Sequence, residues 1–276
     1  MLKRILTHKH LIMAFVARDL RGRYIGSMMG IFWTVIHPLA QILVFSIIFS
    51  IINRGRLVGL EEGQPLAYTI FLCAGLLPWI AFQEYLMRVT GVFISNANLI
   101  KKIQFPAEIL VIQELFSSLI TLGISFSLFT IIIVFFGGWR PTPHILLLPG
   151  IVTLQVFFSL SIAFAMATLN VFLRDIGQIL GVVLMAWFWL TPIVYPSSII
   201  FRDPVNATGL LVPEWLWLSY TLNPWYYLAK WYREAFYLET VPDFNEVIVF
   251  LALSALIFFF GMKIYRSLRD DIPDMI

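Results

Sequence analysis

Four histidines, His8, His10, His37 and His144, are the first candidates for chemistry in this sequence. His8 and His10 are two residues apart, which puts them on different sides of a helix, and no carboxylate pair stands near them, so the spacing does not suit a metal site. The single cysteine, Cys73, cannot form an internal disulfide and is too few for a thiolate centre. Its expected role is packing. Glu84, Glu108, Glu114 and Asp175 are available as bases or cation ligands, but they are scattered, and each has a basic neighbour or a place at a helix start. A Gly-x-x-x-x-Gly-Lys-Ser/Thr segment does not occur, so the chain has no P-loop with which to bind ATP. Neither a catalytic residue nor a metal or cofactor of the chain's own is expected.

Aromatic side chains offer a different kind of site. Phe32, Trp33, Phe45 and Phe49 fall in one apolar stretch and Trp187, Phe188, Trp189 and Tyr195 in another. Trp215, Trp217, Tyr220, Trp225, Tyr226 and Tyr227 gather around Asn223-Pro224. Ring faces can meet the C–H faces of sugars while offering no strong polar trap, which suits a conduit in which binding is weak and repeated. The alternative for each residue taken singly is contact with lipid or a neighbouring helix.

These residues must be positioned by membrane helices. The chain has 276 residues, 60% hydrophobic and only 13% charged, with a mean hydropathy of +0.87. A soluble domain carries about a quarter of charged residues, and a disordered chain is poor in aromatics. The charges are bunched, leaving uncharged runs at 24–53, 63–83, 115–139, 141–173, 176–201 and 247–262. Set against the roughly 20 residues that a helix needs to cross a bilayer, these predict six spans. With the N-terminus in the cytoplasm, thirteen Lys and Arg fall on the cytoplasmic side and six opposite. The positive-inside rule therefore puts both termini in the cytoplasm. The net charge of +3 then marks topology, and nucleic-acid binding is not expected.

The basic N-terminus lacks a short apolar core with a small-residue cleavage site, so it is expected to stay on the chain. Residues 1–24 suggest an interface helix, with a bend or a protein partner near Arg18 to Tyr24, where Asp19 and Arg23 would intrude on the apolar face of Ile12, Phe15 and Val16. A simple basic stop signal is the alternative. Pro38, following His37, should kink the first span and keep it partly sheltered from lipid. The loop 84–114 should hold a short helix parallel to the membrane, with the third span at 109–136. Gly137-Gly138-Trp139-Arg140-Pro141 reads as a hairpin, with 141–149 in the outer loop. Asn-Pro breaks the aromatic segment 215–229 into two short re-entrant or interfacial helices. The fold class is thus an all-α integral membrane protein with six transmembrane helices, an N-terminal amphipathic interface helix and short re-entrant helices between spans 5 and 6. One domain covers 1–276: an interface segment 1–28, a bundle 29–265 and a cytoplasmic tail 266–276.

Several stretches resemble the ABC-2 type permeases that export bacterial polysaccharides. They are Arg18-Asp19-Leu20-Arg21-Gly22-Arg23-Tyr24, then Gly30-Ile31-Phe32-Trp33 with Pro38, and Asn98-Leu99-Ile100-Lys101-Lys102 with Phe105-Pro106. Further along come Leu169-Asn170-Val171-Phe172-Leu173-Arg174-Asp175, Thr191-Pro192-Ile193-Val194-Tyr195-Pro196 and Leu222-Asn223-Pro224. The match covers nearly the whole chain in the family's order.

The resemblance implies a homodimer working with two copies of a separate ATP-binding subunit, which carries the ATP and Mg. It implies that Arg18, Asp19, Arg21, Arg23, Asn98, Lys101, Lys102, Phe105, Arg174 and Asp175 lie on the surface that couples to that ATPase. For Lys101-Lys102 the alternative is a plain inside-loop charge pair. For Arg174-Asp175 it is a local ion pair that fixes the turn. It places the first and fifth spans along the passage, which makes Phe32, Trp33, His37, Trp187, Trp189 and Tyr195, with the re-entrant Trp225, Tyr226 and Tyr227, candidates for the glycan channel. Twofold symmetry agrees, because six helices are few to enclose a glycan.

The function expected is export of an undecaprenyl-linked polysaccharide, such as O antigen, across the bacterial inner membrane. Capsule polymer, teichoic acid, or a small lipid or drug are alternative cargoes. A polyprenol-linked sugar transferase or a passive channel is a remoter possibility.

Overall fold

The computed structural model describes residues 9–23, 26–52, 67–103, 106–195 and 214–276, and every regular element among them is helical. Helix α1 (Lys9–Gly22) is followed by α2 (Trp33–Ile52), which is entered through a 3-10 turn at Gly30–Phe32. Next come α3 (Ala67–Thr90), the short α4 (Val92–Ser95) and α5 (Ala97–Ile103), and the long α6 (Glu108–Gly137). A 3-10 turn at Pro143–Leu147 leads into α7 (Leu148–Phe172), and α8 (Ile176–Leu190) follows. Two short helices, α9 (Glu214–Thr221) and α10 (Pro224–Arg233), precede a π-helical turn at Glu234–Leu238. The chain closes with α11 (Phe244–Leu268) and α12 (Ile272–Met275).

Four of these helices, α3, α6, α7 with its leading turn, and α11, are long and apolar enough to cross a membrane. The apolar stretch Trp33–Phe45 of α2 and the whole of α8 are shorter. The uncharged run 176–201 suggests a longer fifth helix than the one that forms. Pro192 has no N–H to give, and it forces the residue before it out of the helical region. Thr191 accordingly sits at φ −95°, ψ 135°, and α8 ends after 15 residues, about 22 Å. At the other hairpin, Gly138 takes a left-handed φ of 66° and ends α6, with the Trp139 N–H donating to the Ile133 carbonyl at 3.1 Å.

Helix α3 is the axle of the bundle: 72% of its most apolar window is buried, against 17% for α11. Its inward face supplies Leu72, Leu76, Trp79, Phe82, Tyr85, Leu86 and Val89 to the main core. Helices α7 and α11 cross closely, where a Cβ on Gly261 would collide with the Ser161 carbonyl oxygen. The Ser161 hydroxyl also donates to the Ser254 carbonyl at 3.2 Å. Small residues let two backbones approach where lipid supplies no hydrophobic drive for helix association.

One part of the sequence reading is corrected. Residues 84–90 are a helical extension of α3, whereas 108–114 open α6 in keeping with the third span expected at 109–136, so the connector is confined to 91–107. The charges on these segments stay in the bundle because they pair with one another: Arg88 Nε lies 3.3 Å from Glu114 Oε2, and Arg88 Nη1 lies 3.7 Å from Glu84 Oε2. Over Arg18 to Tyr24, where the sequence calls for a bend or a protein partner, α1 runs unbroken to Gly22 and ends there, while Tyr24 lies outside the described residues. Arg23 absorbs the intruding Asp19 one turn away, with Nη2 to Oδ2 at 2.5 Å. Ile12 and Val16 then pack on Ile109 and Ile112 at the start of α6.

Candidate functional site

The expected coupling residues that the structure describes gather at one end of the bundle. At this end α1 docks on the start of α6, Phe93 of α4 meets Tyr265 of α11 with ring centroids 6.4 Å apart, and Ile272 of α12 is buried in the main core. This end also carries α5 and the α7–α8 turn, so the expected coupling residues share it. Arg18, Arg21, Asn98, Lys101, Arg174 and Asp175 are exposed there, with the Arg18 guanidinium 4.5 Å from the centre of the Phe15 ring. Asp19 and Arg23 face inward as the ion pair. Tyr24 and Phe105, with the side chain of Lys102, lie outside the described residues, as do the side chains of Phe49, Trp215 and Trp217.

Arg174 and Asp175 do not form the local ion pair raised as an alternative for their turn; both are exposed, and Asp175 caps α8 without a side-chain hydrogen bond. The turn is held by Asn170, whose Oδ1 accepts the Gly177 N–H at 3.2 Å.

The aromatic candidates divide. Phe32 and Trp189 are exposed. Trp33 is half-buried; its Nε1 donates to Ser27 Oγ at 2.9 Å, and its ring stands 5.3 Å from that of the exposed His37. Tyr195 is half-buried and donates to the Trp189 carbonyl at 2.9 Å. Trp225, by contrast, is fully buried, 5.0 Å from Trp79 and 4.9 Å from Phe82 between ring centroids. Tyr227 is buried with its hydroxyl donating to the Thr221 carbonyl at 2.8 Å, and Trp187 is half-buried against the same cluster. The ring faces of Trp225 and Tyr227 are therefore spent inside the protomer, because the Asn223-Pro224 break drives the start of α10 into the middle of α3. Tyr226 remains half-buried, beside Tyr220.

That break is tightly tied. Asn223 Oδ1 accepts from the Trp225 N–H at 3.0 Å, capping α10, and from Trp187 Nε1 at 2.8 Å; Nδ2 donates to Thr191 Oγ1 at 2.8 Å. At the far end of α10, Arg233 Nε donates to the Phe71 carbonyl at 3.2 Å, Nη1 to Pro192 at 2.8 Å and Nη2 to Ile193 at 2.6 Å. The Tyr68 hydroxyl donates to the Val194 carbonyl at 2.6 Å. The carbonyls released where Pro192 stops α8 are thus taken up by side chains from α3 and α10. Deeper in, Gln155 of α7 links Tyr232 and the Pro78 carbonyl at 2.6 and 3.2 Å.

A cavity of about 270 Å³ opens at the α1 end between α2, α3 and α6. Its charged lining is Arg23, Glu84 and Arg88, and its uncharged polar lining is Thr34, His37, Gln41, Thr121 and Ser125. Pro38, Leu77, Ile80 and Ala81 supply apolar wall. Among the described residues no group of three His, Cys, Asp or Glu could hold a metal ion.

Sequence reasoning missed Arg233, Gln155, Thr34 and Gln41. Arg233 counted only as a loop charge, and the others are uncharged residues within apolar runs; the adjoining prolines, Pro192 and Pro38, were the signal that carbonyls there would need partners.

A model of the ABC-2 type transporter family matches residues 10–237. An O-antigen export system permease protein RfbA of Myxococcus xanthus is 27% identical over 276 residues, covering 100% of this chain and 99% of that protein. An RfbA of Klebsiella pneumoniae is 27% identical over 263 residues, covering 94% of this chain and 92% of its own length. The polysialic acid transport protein KpsM of Escherichia coli is 21% identical over 261 residues, covering 93% of each chain.

Proposed function

Because this chain belongs to the ABC-2 type transporter family, we propose that it is the permease subunit of an ATP-driven exporter moving an undecaprenyl-linked polysaccharide, such as O antigen, across the bacterial inner membrane. The observation that carries the reading is the end-to-end similarity to an O-antigen export permease. The lower identity to a polysialic acid transporter leaves capsule polymer the lesser reading of the cargo.

In this reading α2 and α8 complete six spans, and α9 with α10 forms a re-entrant pair. The contacts of Trp225 with Trp79 and Phe82 support the second part, since they lie halfway along α3. Both termini are cytoplasmic, which agrees with α1, α5 and α12 sharing one end. Two copies pair through α2 and α8, whose apolar side chains stand exposed, among them Leu43, Val44 and Ile47 on α2 and Val182, Val183 and Trp189 on α8. Two copies of an ATP-binding subunit, holding ATP and Mg, dock at the α1 end on Arg18, Arg21, Asn98, Lys101, Arg174 and Asp175. Nucleotide-driven motion of those subunits reaches the spans as rigid-body movement of the bundle.

The test is ATP hydrolysis by the permease–ATPase complex in vesicles. Stimulation by lipid-linked O antigen is the expected result, and hydrolysis indifferent to every lipid-linked glycan would refute the reading.

A further inference from the structure

We propose that the cavity between α2, α3 and α6 is a subsite for one neutral sugar ring of the cargo. Its volume of about 270 Å³ lies just under the roughly 300 Å³ at which drug-sized sites begin, so it suits a single ring. Thr34 carries the argument. Its side chain lines the cavity, the residue is only 6% exposed, and its hydroxyl has no hydrogen-bond partner. One turn on, Pro38 has no N–H to give the Thr34 carbonyl. A donor and acceptors therefore converge at one place, as a hydroxyl-bearing ligand requires.

The other polar groups fit the same chemistry. Arg88 Nη2 is a buried donor without a hydrogen bond, Glu84 is a half-exposed acceptor, and Gln41 supplies both functions. The Thr121 and Ser125 hydroxyls already donate to backbone carbonyls, at 3.2 and 2.9 Å, and keep their lone pairs to accept with. Leu77 and Ile80 offer apolar wall for a C–H face. Charge decides against the phosphate side of a lipid-linked cargo. The lining holds Arg23, Arg88 and Glu84, but Arg23 is paired with Asp19 and Arg88 with Glu84 and Glu114, so both cations are already matched by carboxylates, which repel a phosphate. The inference rests on the glycan-export reading, which puts the α1 end of the bundle on the cytoplasmic side, where the first sugar of a lipid-linked chain would enter.

The complex with its ATPase, in lipid nanodiscs, is probed by saturation-transfer NMR with N-acetyl-D-glucosamine, D-galactose and D-mannose, and by phosphorus line width with inorganic diphosphate. Transfer to at least one sugar is expected. It should weaken about fivefold in Thr34→Val and Gln41→Leu, the loss of one ordinary hydrogen bond, and survive in Thr34→Ser. Absence of transfer to all three sugars, equal transfer in Thr34→Val and Thr34→Ser, or displacement of the sugars by diphosphate each overturns the subsite. The same preparations report ATP hydrolysis. Stimulation by lipid-linked O antigen without Thr34-dependent transfer removes the subsite alone, whereas no stimulation by any lipid-linked glycan removes the export reading beneath it.

Discussion

Arg233 holds its guanidinium carbon 3.7 Å from the centre of the Phe71 ring while one of its nitrogens donates to the carbonyl of that same residue. Gly75, one turn further along α3, leaves the space: a Cβ there would come within 3.3 Å of Arg233 Nη2. Arg233→Ala would leave three carbonyls short of a donor and is expected to destabilise the protein by about 3 kcal/mol. Arg233→Lys, which cannot reach Pro192 and Ile193 with a planar fork, should fall between. Thermal melting of the purified permease in detergent measures both.

Gly261→Ala forces α7 and α11 apart at Ser161, and a loss of about 1–3 kcal/mol is expected from the overpacking. Gly123→Ala is the control. A Cβ there meets nothing within 4 Å, so its melting temperature should be equal to or slightly above that of the wild type.

Asn223→Ala removes the α10 cap along with its bonds to Trp187 and Thr191, and should cost about 2 kcal/mol. Asn223→Asp keeps an acceptor for the Trp225 N–H and for Trp187 but loses the donor to Thr191, so a smaller loss is expected. Melting followed by tryptophan fluorescence reports both stability and the surroundings of the buried indoles.

Glu234 follows Arg233 and is buried, with Oε2 lacking a hydrogen-bond partner. Burial raises its carboxyl above the ordinary range. Lys230 at 3.6 Å opposes the shift and Glu246 adds to it. A carboxyl raised on folding contributes stability that is full below the unfolded value and is lost as pH rises through the folded one. Glu234→Gln should therefore melt higher than the wild type at pH 8, with the gap closing toward pH 5. A gap independent of pH would contradict this.

Lys101 is exposed on α5. Lys101→Glu should leave the melting temperature unchanged and reduce glycan-stimulated ATP hydrolysis in the assembled complex. Unchanged stimulation would remove Lys101 from the coupling surface.

Charge scarcity made the apolar helices legible in the sequence. The Gly137-Gly138 hairpin and the Asn223-Pro224 break were readable because glycine alone adopts left-handed backbone freely and proline cannot continue a helix. The exact lengths of the helices were not readable. A run without charge does not register a proline stop, so α8 is shorter than its run. Charges that pair inside the bundle mimic a loop, so α3 and α6 are longer than theirs. Burial of individual rings was also hidden: Trp187 and Trp225 share an apolar neighbourhood with Trp189, yet only the last is exposed. Which way a ring points depends on the helix opposite it, and that is tertiary information.

The Arg233 clamp also dictates an order of assembly. Its partner at Phe71 stands 162 residues earlier in the chain, and those at Pro192 and Ile193 stand 41 and 40 residues earlier. During synthesis the earlier helices must wait with these carbonyls unsatisfied until α10 emerges. The end of α8 consequently cannot close before α10 emerges, and a ribosome stalled before residue 233 would leave it exposed to quality-control proteases.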